Sequence, residues 1–291
     1  MGSLRPTVTL ALALAGCATP RAAGPGAYCA PPTQASFAFD PDPSPPAQVA
    51  REERTAALLG LRDAFGESGA SGQSLRADPD RVRVLERIEL ARLAVGSTAA
   101  ELACESERAK QAADAVARAQ GGDVQRLTIA SIGASAATAI AGVLLSTREA
   151  SAASQDAVAI GGGAVTASLA LASLVVHPGV HFAHARNLLA EIWLGPASSS
   201  LYPPFVWAYL SRPEFSNDGQ RAIRERIVER WRVFEGLGDD PALVLLVFGG
   251  GGHYDADTLR MRARMLDEIA AEVALASQDV AALAARILKD R

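Results

Sequence analysis

The residues best suited to chemistry are the histidines, and three of the four fall close together: His177, His181 and His184. Read on a helix, His181 and His184 lie at i, i+3 and share a face, where two imidazoles could hold zinc or copper. The ligand set is incomplete. His177 precedes Pro178, which turns the backbone away, so His253 or Glu191 would have to complete it. The plainer reading is a set of polar residues at the edge of a bundle, and no metal or cofactor is expected. A second candidate is the run Gly249 to Gly252, a glycine-rich stretch before a helix, where backbone N–H groups can cradle phosphate. It lacks a lysine-serine pair, a GxGxxG spacing and a βαβ setting. A loop between helices is expected there, with Asp255 and Asp257 as helix caps. No HExxH, acid pair or nucleophile elbow stands out. A non-catalytic protein is therefore expected.

Around these residues the chain is organised by one unusual stretch, Leu127 to Val176. Two uncharged segments rich in Ala, Gly, Ser and Thr flank a polar break from Thr147 to Asp156. Gly133, Ala137 and Ala141 recur every four residues in the first segment, and Gly162, Thr166 and Ala170 do so in the second. Small residues at this spacing let two helix backbones approach closely. The expectation is a Gly/Ala-rich apolar helical hairpin, a transmembrane-helix candidate that either enters a bilayer or fills the middle of a bundle.

The other elements read as helices. Alanine, the strongest helix former, is abundant, and aromatic residues make up 5%. A first helix is expected over Ala47–Phe65. Asp78 and Pro79 start a second, with Leu85, Ile88, Val95, Leu102, Ala109 and Val116 on one side, ended by Gly121 and Gly122. After the hairpin, helices are expected over about Val180–Leu194, Pro203–Leu210, Asp218–Glu235 and Ala242–Phe248. The last, from about Asp255 to Asp290, places Leu259, Leu266, Val273, Val280 and Ile287 seven apart, a heptad seam broken only by Arg262. Pairing with the helix from Asp78 needs no second chain and is favoured. The fold class is thus all-α: a long-helix bundle, coiled-coil in pattern, with the hairpin. Trp193, Tyr202, Phe205, Trp207 and Tyr209 form an aromatic cluster that suits either a membrane interface or the core of an alanine-rich bundle. With 28 basic and 32 acidic residues the chain is near neutral, which argues against a nucleic-acid partner.

The N-terminus carries an address. Arg5 precedes a short apolar run, Thr7 to Gly16, that ends Leu14-Ala15-Gly16-Cys17. This resembles the lipobox of bacterial lipoproteins, a similarity confined to about the first 20 residues. It implies a signal peptide over 1–16, Cys17 as the lipidated (palmitate-type) first residue of the mature chain, and, because Ala18 replaces the aspartate of inner-membrane retention, an outer-membrane lipoprotein facing the periplasm. The organisation read from the chain is then a disordered Pro/Gly-rich tether (17–46), amphipathic helices (47–120), the hairpin (121–178) and a C-terminal helical region (179–291). Cys29 and Cys104 remain as an even pair for an oxidising compartment, either disulfide-bonded or as two thiols. The expected role is structural or as a protein-interaction platform in the cell envelope. Its membrane contact would run through the lipid on Cys17 and, in one reading, through the hairpin, with envelope proteins as partners. The rivals are a membrane-inserting helical protein, similar in outline to α-helical pore formers, and a periplasmic metal-binding protein or enzyme.

Overall fold

The computed structural model describes residues 29, 41–43, 49–62, 78–147, 168, 179–238 and 240–289, and on the long helix the side chains from Val82 to Ala141. In order, the elements are α1 (Arg51–Leu58), α2 (Asp78–Thr147), β1 (Val180–Ala183), α3 (Leu188–Leu194), α4 (Pro204–Ser211), α5 (Ile223–Phe234), α6 (Pro241–Phe248), β2 (Gly251–Tyr254) and α7 (Ala256–Lys289). A 3₁₀ turn at Pro213–Phe215 follows α4. The fold is all-α with one two-stranded ribbon.

Two long helices form the frame. The heptad seam of α7 is buried along its whole length, from Leu259 through Leu266, Val273 and Val280 to Ile287. It packs on α2 through Val84, Ile88, Ala91, Val95, Leu102, Ala109 and Val116. Val84 takes the core position expected of Leu85, which points outward instead. The two helices run in opposite directions. Arg51 and Glu53 of α1 pair with Asp279 and Arg286 near the end of α7, and the carbonyl of Leu59 just after α1 accepts from Arg87 near the start of α2. Ser106 then meets the Ala263 carbonyl (3.1 Å) toward the opposite end. Apolar side chains at seven-residue intervals give each helix one continuous stripe, and burying both stripes against each other supplies the main driving force.

The short helices cover the flank of this pair. Four of the five clustered aromatics, Tyr202, Phe205, Trp207 and Tyr209, are buried there, and Trp193 is half-buried, stacked on Phe248 at 4.5 Å. The cluster belongs mainly to the core. Helix starts follow local chemistry. Asp240 accepts from the N–H groups of Ala242 and Leu243, ahead of Pro241 in the first turn of α6. Asp255 and Thr258 exchange a reciprocal cap at the start of α7. Asp218 instead accepts from Gln220 and Arg221 N–H in a loop, so α5 begins only at Ile223.

Three expectations need correction. Gly121 and Gly122 do not end α2, which runs through them as one helix of 70 residues, so the boundary at 120/121 is not structural. Nothing lies within 4 Å of where a Cβ would sit on either glycine. The long amphipathic run before them and the apolar run after them outweigh a helix cost of about 1 kcal/mol each. The segment from Val180 is a strand followed by a short helix, not one helix. The glycine run is not a loop throughout: Gly251 and Gly252 open β2, which pairs antiparallel with β1. Gly251 sits at φ 100°, and a Cβ there would lie 2.2 Å from the Phe182 carbonyl oxygen, so only glycine lets the strands meet. The second hairpin segment, apart from residue 168, and the polar break after Thr147 lie outside the described residues, as do Cys17, His177 and almost all of the tether.

Candidate functional site: a buried polar knot and the arm beside it

The ribbon redistributes the histidines. Its register sets His181 directly opposite His253, on the solvent face. His184 lies just past β1 and is buried. His181 and His184 therefore do not share a face, because the expected helix is a strand and strand side chains alternate. The weak metal pair read from the sequence is not formed. Among the described residues no group of three or more His, Cys, Asp or Glu is placed to hold a metal. Glu191, the other candidate ligand, is occupied. It accepts from the Ser199 and Ser200 hydroxyls and from the Ser200 and Leu201 N–H groups. Burial pushes its carboxyl up, but these hydrogen bonds outweigh burial and hold it below the usual range.

His184 is instead the centre of a buried polar knot. Its Nδ1 lies 3.1 Å from the Gly249 carbonyl oxygen and its Nε2 3.1 Å from the Tyr254 hydroxyl. A carbonyl only accepts, so Nδ1 carries a proton and donates to Gly249. The Tyr254 hydroxyl also lies 2.9 Å from the Leu246 carbonyl, so its single proton goes either to that carbonyl or to Nε2. Asn187 Nδ2 donates to the Val247 and Gly249 carbonyls, both at 2.9 Å, and its Oδ1 accepts from Arg262 Nη2 at 3.2 Å. Arg262 Nη1 donates to Val247 O at 3.0 Å, while its buried Nε has no partner. The residue that interrupts the heptad seam is thus the one that ties α7 to the end of α6. Arg108 closes the knot from α2. It pairs with Glu105 (2.7 Å), donates to the Ala183 carbonyl (3.2 Å) and lies 4.1 Å over the Phe182 ring.

Burial, and then the nearby Arg262 and Arg108, depress His184 to about 3, so the imidazole is neutral at ordinary pH. Burial likewise lowers Arg262 to about 10 and raises Tyr254 to about 12. A histidine, a tyrosine and an arginine in contact are the parts of an acid–base site. Here each one bonds to backbone or to the others, and His184 is almost wholly covered. The knot fastens the ribbon between the two long helices. Sequence reading missed it because its members are spread from Arg108 to Arg262. The one local signal was the charged residue in an otherwise apolar seam.

A cleft of about 420 Å³ lies elsewhere, lined by Arg51, Tyr209, Ser216, Arg226, Arg230, Glu272 and Asp279. Its charges largely satisfy one another. Arg51 pairs with Asp279 at 2.7 Å and Arg230 with Glu268 and Glu272. It contains no histidine or cysteine.

Two features bear on location. Cys29 and Cys104 are joined as a disulfide, with Cα atoms 5.6 Å apart, so the tether is fastened to the middle of α2. Beyond Val116, α2 has no buried residue among its described side chains and continues as an arm past its contacts with α7. From Val124 the half-buried positions are Val124, Leu127, Ser131, Ala134, Thr138 and Ala141, three and four apart. The large residues Ile129, Ile132 and Ile140 are 62–63% exposed. Among the described residues no helix is long and apolar enough to cross a membrane. Compared with protein-family models, with curated proteins and with solved structures, the chain matches none.

Proposed function

We propose that this chain is an exported, lipid-anchored cell-envelope protein, in the outer membrane and facing the periplasm. Its helical body acts as a structural or protein-interaction element and does not catalyse a reaction. The observation that carries this reading is the Cys29–Cys104 disulfide. Disulfides persist in oxidising compartments and are rare where thiols are kept reduced. Its position adds a mechanical argument. Cys29 lies twelve positions after Cys17, so the tether spans at most about 40 Å between a lipid on Cys17 and the body. The body is then held near the membrane and turns about a fixed point on α2. Apart from the Arg262 Nε, the polar groups of the buried knot bond to one another and to backbone, which suits a scaffold.

Intact-mass analysis of the mature protein, extracted from membranes, tests this. The expected product begins at Cys17, carries acyl chains there and has no free thiol. An unmodified Cys17, or a chain still carrying residues 1–16, overturns the anchor. Free Cys29 and Cys104 in the native protein would overturn export to an oxidising compartment.

A further inference from the structure

We infer that the outward face of the α2 arm is a lipid-facing surface, and that the arm enters a bilayer with the end of the body from which it emerges resting on the headgroups. This deepens the envelope reading and rests on export of the chain.

The first observation is the distribution of side chains. In a water-soluble bundle the large aliphatic residues face the core and the small or polar ones face out. Beyond Leu127 the arm is arranged the other way. Val124 and Leu127 begin the half-buried stripe, but Ser131, Ala134, Thr138 and Ala141 continue it, while Ile129, Ile132 and Ile140 stand exposed on the outer side. Small residues inside and branched aliphatics outside is the pattern of helices that pack in lipid, where hydrocarbon is as good a neighbour for isoleucine as another helix. No charged residue occurs from Leu127 to Thr147, a run that at about 1.5 Å per residue is about 30 Å long, the thickness of a hydrocarbon core.

The second observation is where the chain comes back. Val180 sits in the same small apolar cluster as Val116, at the root of the arm. From Val116 to Thr147 the helix advances about 47 Å. Val180 therefore lies about that far from Thr147. Alone, the described part of the arm falls short of a spanning helix.

The third observation is the body at the arm's root. Glu235 at the end of α5 pairs with Arg264 in the first third of α7, and Leu246 of α6 packs in the root cluster. That end of the body therefore carries the exposed apolar residues Phe234 and Leu245, 78% and 73% exposed. A shallow apolar cleft there is lined by Trp193, Arg232, Leu237 and Val244, with Arg232 at 5.1 Å over the Trp193 ring. Tryptophan beside arginine suits the headgroup layer.

The test uses the mature chain with Cys17→Ser, its disulfide intact, and a single added thiol, Ala136→Cys, carrying an environment-sensitive NBD fluorophore. Residue 136 lies on the outward face between Ile132 and Ile140. Addition of phosphatidylcholine–phosphatidylglycerol vesicles is expected to shift its emission to the blue, and brominated acyl chains to quench it. The triple variant Ile129→Asn, Ile132→Asn, Ile140→Asn is expected to lose both responses while keeping its disulfide and near-ultraviolet dichroism. A label that stays aqueous in the presence of vesicles overturns the inference. So does a blue shift without lipid that tracks a concentration-dependent dimer in light scattering, since the occupant is then a second copy. The two proposals fail separately. Acylated Cys17 with an aqueous label at 136 removes only the lipid-facing arm. A quenched label with unacylated Cys17 removes only the anchor.

Discussion

His184 shows how position decides what a residue type can do. In the chain it is one of a histidine cluster that invites a metal. In the fold it is a neutral, buried hydrogen-bonding group between Gly249 and Tyr254. Its folded value of about 3 lies below the unfolded value near 6.5, so between these limits the unfolded chain binds a proton that the folded chain does not. Stability from this group is complete above about pH 6.5 and is lost as pH falls toward 3, at about 1.4 kcal/mol per pH unit. Denaturant midpoints measured from pH 7 to pH 4.5 on the wild type and on His184→Gln should differ by that slope. Parallel curves would show that the imidazole is not held neutral. Tyr254→Phe removes the hydroxyl shared by His184 and Leu246 and is expected to cost about 1–3 kcal/mol in equilibrium unfolding.

Among the elements, α2 is the one whose character changes along its length. Its first half is a bundle helix with a buried stripe ending at Val116, and its second half is an arm. Gly121 and Gly122 lie at the change and read locally as a stop. They are helical because helix on both sides makes continuation cooperative. With open space around both Cβ positions and helical backbone, Gly122→Ala is expected to stabilise this part of α2 by about 1 kcal/mol. Amide exchange should slow across residues 115–130. Faster exchange, or a break in helicity, would mean that the glycines terminate the helix. The ribbon is the opposite case. Two four-residue strands carry little preference of their own, and Gly251 with the knot behind it fixes their pairing.

For the whole molecule, the disulfide is the long-range constraint that the tether and body share. It closes a 75-residue separation, for which chain entropy gives a stabilisation of about 4 kcal/mol. Reduction, or Cys104→Ser, is expected to lower unfolding stability by that order, read as a shift in urea midpoint with unchanged helical signal before the transition. A negligible shift would show that residues near Cys29 add no constraint to the fold. The same bond sets the molecule's reach. In the proposed anchored form the middle of α2 would lie within about 40 Å of a lipid on Cys17, and α2 extends about 56 Å from Cys104 to Ala141.

What the amino-acid sequence determined by itself is everything carried by local periodicity and composition. The heptad seam of α7, the apolar stripe of α2, the cap at Asp255 and the all-α class were legible because their signals lie within one or two turns of each residue. The pairing of α2 with α7 followed from two matching stripes. Tertiary structure alone decided the rest. It chose strand over helix at Val180, since a short apolar run suits both and the choice falls to a partner about 70 residues away. It separated His181 from His184, gave Arg262 its carbonyl and amide partners, and sent the clustered aromatics into the core. It also turned the isoleucines of the arm outward. A list of apolar residues gives the length of such a segment but not its inside and outside, because that depends on which side other helices occupy.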